Sequence, residues 1–118
     1  MKGKVRWASR PTENDYAAAR RYLSLVVGPA RDAALVGALR KAKLQVYPAR
    51  DLMRTSEYRL PVPDDKKQRK EITSGQKLAP LLIVRDRRQA RLIIADAYHR
   101  LGAVCSVDAE ADVPCKIV

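Results

Sequence analysis

The chain has 118 residues, 47% of them hydrophobic, and its 24 Lys and Arg against 13 Asp and Glu leave a net charge of +11. That length suits one domain (1–118) with one core. The apolar fraction excludes disorder, and two cysteines are too few for a disulfide scaffold. A pI near 10.1 favours encounters with nucleic acid, nucleotides or an acidic partner.

Residues 1–11 read as a loose basic arm with no apolar stretch behind it. No segment reaches the length of a membrane span, so a cytoplasmic protein without a membrane partner is expected. Thr12 ahead of Glu13 and Asp15 marks a helix start, its hydroxyl capping free N–H groups and the acids suiting the positive helix end. Tyr16, Ala19, Leu23, Val26 and Val27 then recur at helical spacing until Gly28-Pro29. A second helix over 30–42 is expected to bury Ala34, Leu35, Ala38 and Leu39 and completes an N-terminal helix pair, 12–42.

From residue 44 the pattern changes. Leu44 to Tyr47 alternates as a short strand, and Pro48 suits the first turn of a helix running to about Ser56. Leu60-Pro61-Val62-Pro63 must be extended, after which Asp64 caps a polar helix over 65–74 that ends at Gly75. On that helix Lys66, Arg69 and Lys70 share one side, either as a solvated face or as groups that meet phosphate.

Pro80-Leu-Leu-Ile-Val-Arg85 is continuously apolar, as in a strand covered on both faces. Asp86-Arg-Arg-Gln makes a hairpin turn into a partner strand over 91–95. A helix over 96–106 follows, and a closing strand over 113–118 carries Pro114, which argues for a strand start or a sheet edge. The fold class expected is α+β, a small mixed sheet flanked by helices.

A buried strand that runs straight into a helix presents the helix's first N–H groups at the strand's carboxyl end, a ready anion site. Here that corner reads Ile93-Ile94-Ala95-Asp96-Ala97-Tyr98-His99-Arg100, with an acid, the chain's one His and an Arg within five residues. Arg offers phosphate a bidentate fork, and His moves a proton near neutral pH. Each residue also has a plainer reading. Asp96 serves as a helix N-cap, His99 makes a local hydrogen bond, Tyr98 packs, and Arg100 bridges to Asp96 at i, i+4.

Lys77-Leu-Ala-Pro-Leu-Leu-Ile-Val-Arg85, Leu92-Ile-Ile-Ala-Asp-Ala-Tyr-His-Arg-Leu-Gly-Ala-Val104 and Val113-Pro-Cys-Lys-Ile-Val118 together resemble the N-terminal domain of the ParB/sulfiredoxin superfamily. The resemblance covers about residues 44–118 and implies a phosphate-binding helix start. Asp96 and Arg100 match the free-serine kinase form of that start, and His99 with Arg100 matches the sulfiredoxin form. Tyr98 replaces the reactive Cys, which excludes sulfiredoxin chemistry. Ala97 replaces Gly, which restricts the backbone where phosphate would approach closely. Gly102 replaces a second arginine, and the helix-turn-helix of partition proteins is absent from the chain.

The resemblance implies that Ala97, Tyr98, His99 and Arg100, with Lys66 and Arg69, bind a nucleoside triphosphate (ATP or CTP). Asp96 and His99 would be the catalytic residues, and Asp96 would hold magnesium or orient a substrate hydroxyl for hydrolysis or phosphoryl transfer. A carboxylate at a helix mouth repels phosphate unless a cation bridges them, so this reading requires the metal. Two others compete with it. One is a nucleic-acid-binding module that uses the basic surface without reading sequence. The other is a partner-binding protein or homodimer that docks through its N-terminal helices.

Overall fold

The computed structural model describes residues 5–56 and 66–118. The extended segment and the Asp64 cap expected within 60–64 lie outside the described residues. In chain order the elements are β1 (Arg6–Trp7), α1 (Glu13–Val27), α2 (Pro29–Lys41), β2 (Gln45–Pro48), α3 (Ala49–Thr55), α4 (Lys66–Thr73), β3 (Lys77–Leu78), β4 (Leu81–Asp86), β5 (Arg91–Asp96), α5 (Tyr98–Val107) and β6 (Asp112–Ile117). The fold is α+β. Its main sheet has the order β2-β6-β4-β5, with β4 and β6 parallel and the other neighbours antiparallel.

The apolar run of β4 is explained by burial on both faces. Leu82 and Val84 pack with Ile93 and Ala95 against Tyr16, Ala19 and Leu23 of α1 and Val36 and Leu39 of α2. On the opposite face Leu81, Ile83 and Ile94 pack with Leu52, Ile72, Leu101 and Val104 of α3, α4 and α5. Residues of both parities are therefore apolar, and the N-terminal helix pair is the layer that covers one face.

A capping box starts α1. Asp15 N–H donates to Thr12 Oγ1 at 3.1 Å, and Thr12 N–H donates to Asp15 Oδ2 at 2.8 Å. Gly28, at φ 91, ends α1 and leads into Pro29 at the first turn of α2.

Three expectations are corrected. On α2 Leu39 is buried as expected, but Val36 faces inward with it while Ala34 and Ala38 are exposed. This rotation buries the larger Val side chain, which contributes more apolar area than an alanine. The N-terminal arm is not loose where it is described, because Arg6 and Trp7 pair in parallel with Lys77 and Leu78, and Ala8 N–H donates to Leu78 O at 2.7 Å.

The third correction concerns β6, which is an interior strand despite Pro114. Its pairing with β4 begins one residue later, at Leu81 opposite Cys115. Val118 N–H donates to Ile83 O, so the two-residue repeat of the parallel ladder brings position 114 opposite the Ala79 carbonyl. Proline has no N–H to give there, and another donor takes its place. Among the described residues no helix is long and apolar enough to cross a membrane.

Candidate functional site

The junction of β5 and α5 is shaped by a one-residue register shift. Leu82 pairs with Asp96, whereas Ile83 pairs with Ile94, so Ala95 is the extra residue of a bulge. Directly opposed residues of an antiparallel pair share a face, and a bulge changes which face the following residue meets. Asp96 is thereby sent to the same face as Leu82, the face covered by α1. There it meets Asp15.

The structure thus joins two carboxyls that lie far apart in sequence. Burial, then the hydrogen bond and charge of Asp15, push the Asp96 carboxyl up to about 7, against the opposing pull of Arg100 and the Ala97 N–H. Asp15 moves the other way. Although burial opposes it, hydrogen bonds from Thr12 and Asp96 and the Arg100 charge hold its carboxyl below the usual value. Below about pH 7 the pair therefore holds one proton between its carboxyls, with the shifts favouring the Asp96 side. With both groups ionised, the buried Asp96 Oδ2 would have no donor among the described residues. A proton on Asp96 removes that defect by making the group a donor to Asp15.

Arg100 closes the cluster from α5. Its Nη1 donates to Ala79 O at 2.9 Å, taking the ladder position that Pro114 leaves open, and its Nη2 lies 3.5 Å from Asp15 Oδ1. The side chain is 17% exposed. Arg100 fastens the end of β4 to α1 and α5. The bridge to Asp96 expected at i, i+4 is replaced by one to Asp15.

Asp96 is not the helix N-cap either. That position belongs to Ala97, at φ 79 in the left-handed region, with no side chain capping the helix start. A residue carrying a Cβ is strained there by about 1 kcal/mol. Ala97→Gly is expected to stabilise the fold by about 0.5–1 kcal/mol in urea unfolding. A loss of stability instead would show that packing of the Ala97 methyl against the core outweighs the strain.

The remaining corner residues disperse. His99 is exposed and Tyr98 half-buried, their rings 5.0 Å apart and inclined at 54°. Lys66 and Arg69 stand on the exposed side of α4, a helix packed against α5. Burial raises the thiols of Cys105 and Cys115, the latter to about 11, so neither is a thiolate at neutral pH.

A magnesium ion at Asp96 would find one further carboxylate, Asp15, beside it. Among the described residues no three potential ligands cluster. The neighbouring Asp15 is engaged by Thr12 and by a guanidinium, whose charge opposes a cation.

A second constellation lies at the far end of the β4–β5 hairpin. Arg31 of α2 joins Arg85, Arg87 and Arg88 around a groove of about 600 Å³ floored by Val27, Val84 and Ile93. None of these four arginines is ion-paired among the described residues. By contrast Arg20, Arg40, Arg50, Arg54, Arg91 and Arg100 are bridged to acids. In the sequence these hairpin arginines belong to a turn, and their density between 85 and 91 is the available signal, but Arg31 joins them only through the fold. The N-terminal helices, read as a docking surface, commit one face to the sheet and leave Tyr22, Leu25 and Val26 exposed.

The chain matches no family model, no curated protein and no solved structure.

Proposed function

We propose that the protein binds nucleic acid without reading its sequence, through the arginine-lined groove beside the β4–β5 hairpin. The observation that carries this reading is the gathering of Arg31, Arg85, Arg87 and Arg88 around a groove whose acidic lining residue, Asp86, is bridged to Arg91 instead, in a chain of net charge +11. Such a group repels itself and gains when phosphates replace its counterions. Guanidinium groups suit that task because each can hold two phosphate oxygens. A cytoplasmic setting accords with two free, buried thiols.

The test is a salt titration of a fluorescein-labelled oligonucleotide followed by anisotropy. Contacts from four arginines give an expected slope of log K against log salt of about −3. Arg87→Ala/Arg88→Ala should flatten the slope by about 1.5 and weaken all sequences alike. Binding indifferent to salt, or unchanged in the double variant, would remove the groove from consideration.

A second reading follows the ParB/sulfiredoxin resemblance, with nucleotide phosphates at the start of α5. It is favoured by one observation, a helix start with no side-chain cap beside an exposed His99. The Asp15–Asp96 pair and the inward-turned Arg100 count against it. Titration with ATP and CTP, with and without magnesium, tests it using His99→Ala, which leaves the buried cluster intact.

A further inference from the structure

On the opposite side of the same hairpin lies a cavity of about 370 Å³ between β2, α3 and the β4–β5 strands. Its size falls within the range of about 300–1,000 Å³ that holds small ligands. Leu52, Leu92 and Ile117 make an apolar floor, and Tyr47 forms a wall. Tyr47 is 38% exposed, and its hydroxyl donates to Gln45 Oε1 at 3.0 Å, which orients the ring. Arg85 and Arg87 line both this cavity and the groove on the other face.

We propose that the cavity receives one unstacked base of a single-stranded nucleic acid whose phosphates lie on the hairpin arginines. The inference rests on the nucleic-acid reading above and names the strand form that the site takes. Charge complementarity sets the orientation. Arg85, Arg87 and Arg91 line the cavity together with Asp51 and Asp86; Asp86 is bridged to Arg91 and Asp51 to Arg54, so the charges available to phosphates are those of Arg85 and Arg87. What enters must be uncharged, flat and largely apolar, with a face to lay on Tyr47, and a nucleobase meets each condition. A paired duplex keeps its bases stacked and cannot supply one without unpairing, so single strands gain a contact that duplexes lack.

The experiment compares a labelled mixed-sequence single-stranded DNA, the matching RNA and the DNA duplex on the full chain. Single strands of either sugar are expected to bind more tightly than the duplex. Tyr47→Ala should weaken them about tenfold and leave the duplex unchanged, while Tyr47→Phe retains binding. Thr55→Tyr, which fills the cavity from the exposed side of α3, should reproduce the loss. Equal affinity for single strand and duplex, with Tyr47→Ala and Thr55→Tyr without effect, overturns the base pocket. If Arg87→Ala/Arg88→Ala still weakens both forms in that case, the nucleic-acid reading stands alone. Absence of binding to every oligonucleotide at low salt overturns both.

Discussion

At pH 8, Asp96→Asn is expected to unfold at a higher temperature than the parent chain. Asp96 has its carboxyl raised from 3.8 to about 7 in the fold. In the native state it therefore holds a proton that the unfolded chain releases, over the window between those values. Native stability from this group is complete below the unfolded value and lost as pH rises through about 7. The gap between 3.8 and about 7 corresponds to about 4 kcal/mol at full strength. Because the residue is only part-buried, screening reduces this to about 1–2 kcal/mol. Asparagine carries a permanent amide donor toward Asp15, so the variant keeps the hydrogen bond without the titration. Its melting temperature should exceed the parent's by about 4–8 °C at pH 8 and converge with it near pH 4. Parallel pH profiles for the two proteins would show that Asp96 does not hold the shared proton.

Asp15 contributes with the opposite sign. Its carboxyl is held below 3.8, so its stabilisation is present above the unfolded value and disappears as pH falls below it. The combined contribution of these two groups should therefore be greatest near about pH 4, where both are largely present.

Arg100→Ala should have the largest destabilising effect. Removing the guanidinium leaves Ala79 O without its donor and takes the cation from two adjoining carboxyls. Deleting one partner of a buried ion pair costs about 3–5 kcal/mol. The expected loss is about 3 kcal/mol in urea unfolding, larger at pH 8 than at pH 5 because Asp15 and Asp96 then repel without mediation. Adding Asp96→Asn should restore part of that loss at pH 8 and little at pH 5. Such non-additivity marks groups acting as one cluster, and a double variant equal to the sum of the singles at both pH values would refute it. This role also makes Arg100 a poor probe of anion binding, since its removal disturbs the sheet end. The solvent-exposed Arg87 and Arg88 separate binding from folding more cleanly.

Much of the architecture is legible in local chemistry. Thr12 with Asp15 announces a capped helix because a hydroxyl and a carboxylate three residues apart satisfy the first free N–H groups reciprocally. The Gly28-Pro29 break and the unbroken apolar run of β4 are also consequences of nearest neighbours and of burial on two faces. The same reasoning places α5 directly after β5 and identifies 93–100 as a junction, within a residue or two of its observed limits.

What local pattern could not supply was direction. A single bulged residue, Ala95, turns Asp96 from the helix mouth to α1, and no periodicity announces which strand will bulge. Arg100, placed in the first helical turn against the dipole, has a reason visible only through β6, where Pro114 leaves the Ala79 carbonyl needing a donor. The gathering of Arg31 with the hairpin arginines likewise depends on α2 lying over β4. The sequence by itself determined the elements, the caps and the excess of positive charge, because these follow from residue types within a few positions of one another. Tertiary structure alone decided which charges meet, since a one-residue change of register reverses the face on which a side chain lies.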